Sequence, residues 1–239
     1  MTSDLEVHLE CIGTFEKDFR SAALLDLVTK YITGNRVLDV GCGGGGTVIH
    51  LSQLNYSVLG IDVSQRVVEI AKKNMQQADL SPNMIMHLDL RQVQGSFDTI
   101  LCLDVLEHAE NDFELVGLMA HLLVSGGRLI VVVPAVSWLF DSRDARLGHL
   151  RRYDRQSLVE RISASGLEIE LLRFWNLLGF LTAVAYRKIA RKTMDESFRY
   201  SNEPASRWMR SMLYRWMSVC ENRLRPPIGL SLMVVGKKR

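Results

Sequence analysis

Five short runs rich in β-branched and other apolar residues, RVLDV (36–40), SVLGI (57–61), MIMHL (84–88), FDTILCL (97–103) and GRLIVVVP (127–134), are separated by helical patterns over 46–54, 64–77 and 111–124. Parallel strands need crossover connections, and crossover helices cover both faces of a sheet, so this alternation predicts an α/β fold with a parallel sheet between two helical layers. Helices are also expected over 20–32 and 156–165, a helix stop at the SGG of 125–127, and a sixth strand at LEIELLRFW (167–175). A helical, Trp- and Arg-rich stretch then precedes a last strand-like run, LSLMVVGKK (230–238). With 239 residues and 47% hydrophobic content, the chain can bury a sizeable core.

In such a sheet ligands collect beyond the carboxyl ends of the strands, and the first of those ends carries LDVGCGGGGT (38–47), five glycines in six positions. Gly41, Gly43 and Gly46 satisfy a dinucleotide fingerprint, which alone also fits a plain tight turn. The acids decide between ligands. Asp39, two residues before the first glycine, would repel a pyrophosphate and suits a cationic ligand. Asp62 closes the second strand, where a carboxylate accepts both hydroxyls of a ribose, although it or Ser64 could also cap the next helix. Asp89 closes the third strand, placed to accept from an adenine amine, and CLDVLEH (102–108) brings polar groups to the end of the fourth. Together these describe adenosine attached to something positive.

The chain resembles the class I S-adenosylmethionine-dependent methyltransferases over about residues 34–135, through VLDVGCGGG, GIDVS, LDL, FDTILCLDVLEH and GGRLIVVVP in that order. The resemblance implies a Rossmann-like sheet of seven strands, parallel with an antiparallel last strand and helices on both faces, here with a helical insertion before that strand. It implies S-adenosylmethionine as cofactor and S-adenosylhomocysteine as product. Gly41, Cys42 and Gly43 would line the methionyl part, Asp62 and Val63 the ribose and adenine, Asp89 and Leu90 the adenine edge, and Leu103 the sulfonium. The helix starting near Gly46 would point free N–H groups toward the methionine carboxylate, with Arg20 facing the same group. Relatives often carry a His-Trp-Trp cluster before the first helix, where this chain has FEKDFRSAA.

Asp104, Glu107 and His108 would share one face of a helical turn. The triplet resembles the acidic-x-x-Glu-His pattern of ubiquinone-biosynthesis O-methyltransferases, which implies a divalent metal. No further ligand set stands out in the sequence, so contact with cofactor or substrate is expected for Asp104 and Glu107, and no metal ligand is assigned. The segment 141–176 resembles a bacterial subgroup associated with polysaccharide or glycolipid assembly, through Asp144, Gly148, His149, Arg151, Arg152 and Tyr153. His149 is the first candidate base, with His108 and Tyr153 as further catalytic candidates, and Arg151 and Arg152 are candidates for holding an anionic or sugar-like acceptor. The plainer alternative makes the arginines surface ion pairs ahead of the helix at 156–165.

This reading divides the chain into an N-terminal helical cover (1–33), a cofactor-binding core (34–175), a helical insertion (176–228) and a final strand (229–239). In the insertion Trp208, Met212, Trp216 and Cys220 repeat every four residues, and 187–225 holds ten Lys or Arg against four Asp or Glu, whereas the whole chain has a net charge of +2. Such a segment suits a lid, a dimer element or a peripheral contact with anionic lipid. Four scattered cysteines and no apolar run near the roughly 20 residues of a spanning helix lead to an expected cytoplasmic protein, with the inner membrane face as a peripheral site. The expected activity is methyl transfer, foremost to oxygen, on a small-molecule or lipid-linked, sugar-like acceptor. Nitrogen or carbon acceptors and a catalytically silent cofactor-binding subunit are the alternatives, and no nucleic-acid module accompanies the basic insertion.

Overall fold

The computed structural model describes residues 19–187 and 204–239. Residues 1–18 of the expected cover and 188–203 of the expected insertion lie outside them. Seven strands form one sheet in the order β3-β2-β1-β4-β5-β7-β6. They are β1 (Arg36–Val40), β2 (Ser57–Asp62), β3 (Ile85–His87), β4 (Phe97–Leu103), β5 (Leu123–Pro134), β6 (Glu168–Trp175) and β7 (Ser231–Lys237). β7 runs antiparallel to both β5 and β6, while the pairings among β1 to β5 are parallel. The helices are α1 (Phe19–Val28), α2 (Gly46–Gln53), α3 (Gln65–Gln77), α4 (Asp112–Leu122), α5 (Ser142–Arg146), α6 (Arg155–Ala164), α7 (Leu177–Ala185) and α8 (Pro204–Arg215), the last continuing as a π-turn over Trp216–Glu221.

Central strands read as unbroken apolar runs because both faces are buried. Along β5, Leu129, Val131 and Val133 enter one core cluster and Ile130 and Val132 the other. On the first face sit Val116 and Met119 of α4 with Leu158 and Ile162 of α6. The second face takes Leu24 and Val28 of α1, Val48 and Leu51 of α2, and Val68 and Ala71 of α3. Residues i, i+1, i+4 and i+8 of α3, from Val67 to Met75, are buried, and the hydroxyl of Ser64 accepts from Val67 N to cap it.

Two expected boundaries shift. The helix before β5 ends at Leu122 rather than at the glycines, because Leu123 already pairs with Phe97. Gly127 instead lies inside the strand, where a Cβ would meet the carbonyls of Val124 and Asp98. β3 is only three residues long, and Asp89 stands beyond it as the cap of a 3₁₀ turn at Leu90–Gln92.

Candidate active site

A cavity of about 730 Å³ opens beyond the carboxyl ends of the parallel strands. Its floor starts at the turn between β1 and α2. Gly41, Gly43 and Gly45 all adopt positive φ, and a Cβ on Gly41 would stand 2.5 Å from Val105 Cγ2, so the loop closes only on glycine. Gly43 N donates to Asp62 Oδ2 (3.2 Å) and Ser64 N to Asp62 Oδ1 (2.9 Å), which fixes the carboxylate at the rim of the loop. Asp62 and Ser64 therefore share the helix start, with the hydroxyl as the cap proper. Gly41, Gly43, Asp62, Val63, Asp89 and Leu90 line one half of the cavity. Asp89 accepts from Arg91 N (2.8 Å) and pairs with the Arg91 guanidinium (3.3 Å).

Three expected cofactor residues sit elsewhere. Asp39 is buried behind the glycine loop, and burial followed by the charge of Asp62 pushes its carboxyl up to about 8. It does not face the cavity, and one oxygen has no hydrogen-bond partner. The Cys42 side chain joins the second core cluster, where burial pushes the thiol far up, so only its backbone belongs to the loop. Leu103 packs on that same cluster, and Asp104 and Val105 take its place at the cavity wall.

The other half of the cavity is polar. Asp104, at the end of β4, has φ +53, a backbone conformation a non-glycine residue holds only where its surroundings impose it. It pairs with Arg20 at 3.3 Å, and Arg20 also donates to Ser231 Oγ (3.1 Å). The 3₁₀ turn Leu106–His108 then aims Glu107 inward. Its side chain is fully buried and neither carboxylate oxygen has a hydrogen-bond partner. Burial, reinforced by Asp104, holds its pKa well above the usual range.

Facing Glu107 is His149, whose Nε2 stands 3.9 Å from Glu107 Oε1 and whose ring meets that of His108 edge-on at 4.9 Å. His149 Nδ1 lies 3.0 Å from Asp144 Oδ1, and Arg152 Nε donates to Asp144 Oδ2 (2.8 Å). Burial alone would raise the Asp144 carboxyl, but the bonds from His149 and Arg152 outweigh it and hold it at about 2. An ionised carboxylate only accepts, so Nδ1 of His149 is the donor of that bond and Nε2 is the nitrogen turned toward Glu107. By the same logic His108 donates from Nδ1 to Gly148 O (3.1 Å).

Two candidates from the same segment are displaced. Tyr153 is buried away from the cavity, its hydroxyl proton shared between Asp112 Oδ2 (2.9 Å) and Leu106 O (3.1 Å), and burial with Asp112 pushes its pKa up, so it braces the turn below the cavity rather than lining it. Arg151 pairs with Asp112 (3.0 Å) outside the cavity, as in the ion-pair alternative, whereas Arg152 lines it. Sequence reasoning assigned no role to Asp144, although it stands in the quoted pattern, and overlooked Arg143, Asn176 and Ser231. Asn176 has one local signal, a helix-capping residue right after a strand. Ser231 has none.

Glu107, His108 and His149 each offer a ligand atom within 4.8 Å of the others. The sequence reading assigned no metal ligand; the fold supplies the third donor from a distant segment. The set fits a divalent cation, because both oxygens of Glu107 are unpartnered and each imidazole has Nδ1 engaged, leaving Nε2 to donate.

The profile of the methyltransferase-domain family matches residues 15–172. A ubiquinone biosynthesis O-methyltransferase from Dechloromonas aromatica is 34% identical over 104 residues, 42% of this chain, and the chain spans 44% of that relative's length. Among solved structures, a magnesium protoporphyrin IX methyltransferase from Synechocystis PCC 6803 with bound S-adenosylhomocysteine aligns with a TM-score of 0.57 at 18% identity, covering 99% of this chain and 85% of that one. The methyltransferase solved with the Haloferax volcanii Trm112 activator aligns with a TM-score of 0.63 at 14% identity, covering 99% and 98%. At these identities the structures speak for the fold alone. The sheet order, the glycine turn and the family match over most of its length agree: the chain belongs to the class I S-adenosylmethionine-dependent methyltransferase family.

Proposed function

We propose that the protein transfers the methyl group of S-adenosylmethionine to an oxygen of a small or lipid-linked, sugar-like acceptor, with His149 as the base. The observation that carries this reading is the Asp144–His149 pair opening into the same cavity as the glycine loop, Asp62 and Asp89. Asp62 takes the ribose hydroxyls with Val63 beside it, Asp89 and Leu90 the adenine edge, and Arg20 the methionine carboxylate. Gly41 and Gly43 let the backbone approach the methionyl chain. His149 Nε2 removes the acceptor's hydroxyl proton, the oxygen attacks the methyl carbon opposite sulfur, and the C–S electron pair stays on sulfur to give S-adenosylhomocysteine. His108, Arg143 and Arg152 line the acceptor's half.

Holding the acceptor in line supplies roughly 7–11 kcal/mol of the barrier lowering, and a positioned base adds about 10²–10⁴-fold. A divalent cation held by Glu107, His108 and His149 would occupy His149 Nε2 and, in place of the free base, would lower the pKa of a bound hydroxyl. The relatives named for O-methylation support oxygen as the acceptor atom. The test is to incubate the protein with methyl-labelled S-adenosylmethionine and host extract, then follow label into soluble metabolites, lipids and nucleic acid. Label in lipid or soluble sugar-like compounds, lost with His149→Ala, is expected. Label in nucleic acid, or none despite cofactor binding by calorimetry, sinks the reading.

A further inference from the structure

α8 and the turn after it present one face to the protein and another outward. The inner face is fixed, since Tyr214 Oη (2.9 Å) and Ser218 Oγ (3.0 Å) both donate to Asp26 of α1 and Met217 is buried. The outer face carries Trp208 (70% exposed), Met212 (50%) and Val219 (52%), with Trp216 (39%) at its edge and bonded to Glu221, apolar side chains at helical spacing whose outer sides no described residue covers. Arg215, Arg223 and Arg225 are exposed among them and pair with no carboxylate among the described residues. Glu221, the one acid between Trp208 and Arg225, is buried. An outward face of tryptophan, aliphatic and arginine side chains without an acid matches an anionic lipid surface, where indole rings settle at the headgroup level and arginines meet phosphate.

We infer that this face docks the protein onto anionic phospholipid. A second copy of the chain fits it poorly, because a two-fold contact would set the same arginines against each other with no carboxylate to receive them. No helix of the described residues is long and apolar enough to cross a membrane, so the contact lies at the surface. The inference is independent of the methyl-transfer reading, and so is its test. Full-length protein is floated with phosphatidylcholine vesicles, with and without about a quarter phosphatidylserine. Partition into the anionic vesicles alone is expected, weakened by salt near 0.5 M as screening shortens. The double variants Trp208→Ser/Trp216→Ser and Arg215→Glu/Arg223→Glu, checked for helix content by circular dichroism, should each lower partition about tenfold or more. Equal partition of variants and wild type, no partition at all, or a solution dimer that the tryptophan variant breaks would overturn it.

Discussion

His149 stands between two buried acids whose surroundings shift them in opposite directions. Asp144, held at about 2, is a carboxylate that orients the imidazole, whereas burial and Asp104 push Glu107 well above the usual carboxylate range. A histidine oriented by an ionised carboxylate at the cavity wall is placed to act as a base. His149→Ala should therefore leave S-adenosylhomocysteine affinity unchanged in calorimetry and lower kcat about 10²–10³-fold. Asp144→Asn keeps the shape but loses the acceptor-only partner, and kcat should fall about tenfold or more with KM nearly unchanged. A loss confined to KM would move Asp144 to acceptor binding. Asp39 gives a stability prediction with the opposite chemistry. Its folded pKa is raised from 3.8 to about 8, so the folded chain holds a proton that the unfolded chain has given up. Stability from this group is complete below its ordinary value and is lost as pH rises toward 8, on the order of a few kcal/mol across that window. Asp39→Asn should thus raise Tm at pH 9 and change it little at pH 4; a uniform loss at both would show that the carboxyl is needed for packing.

At the level of elements, Tyr153 shows why a motif misleads about roles. It links the 3₁₀ turn carrying Glu107 and His108 to Asp112 at the start of α4, where Arg151 and Arg161 also converge. Tyr153→Phe should cost about 1–2 kcal/mol in unfolding experiments while kcat stays within about threefold. A collapse of kcat at unchanged Tm would return the residue to the chemistry. The strands, the helices packed on the sheet and the glycine turn were legible because unbroken apolar runs, 3.6-residue apolar periods and the glycine run are local signals, whereas the short α5 carries none. The places of Asp62 and Asp89 at the cavity wall were legible because the first ends β2 and the second follows β3 by two residues, at the carboxyl edge of the sheet. The approach of His149 to Glu107 and the exclusion of Tyr153 and Arg151 were not legible, because they depend on how the segment after β5 folds back over the turn after β4; the Asp144–His149 bond is local but rests on the short turn of α5, which has no apolar period to announce it. Leu103 and Asp39 failed by the alternation of a strand, which turns one residue to the cavity and its neighbour to the core.

Across the whole molecule, the cavity depends on parts far apart in the chain. Arg20 enters from the first turn of α1 and meets Asp104 after β4 and Ser231 at the start of β7. α1 is in turn clamped from the far end of the chain, by Tyr214 and Ser218 on Asp26 and by Asn222 Nδ2 on Ala23 O (2.8 Å). On the proposed reading, S-adenosylhomocysteine at about 100 times its Kd stabilises the native state by about 2.7 kcal/mol, a rise in Tm of about 5–10 °C for a chain of this size. Asp62→Ala should abolish that shift directly. Asp26→Ala, whose side chain lies outside the cavity wall, tests the clamp instead: releasing two hydrogen bonds should lower the unliganded Tm, and the loosened Arg20 should shrink the ligand-induced rise as well. If Tm falls but the full rise remains, the carboxylate end of the cofactor is held without Arg20, by the N–H groups at the start of α2, and the two ends of the chain meet at α1 for stability alone.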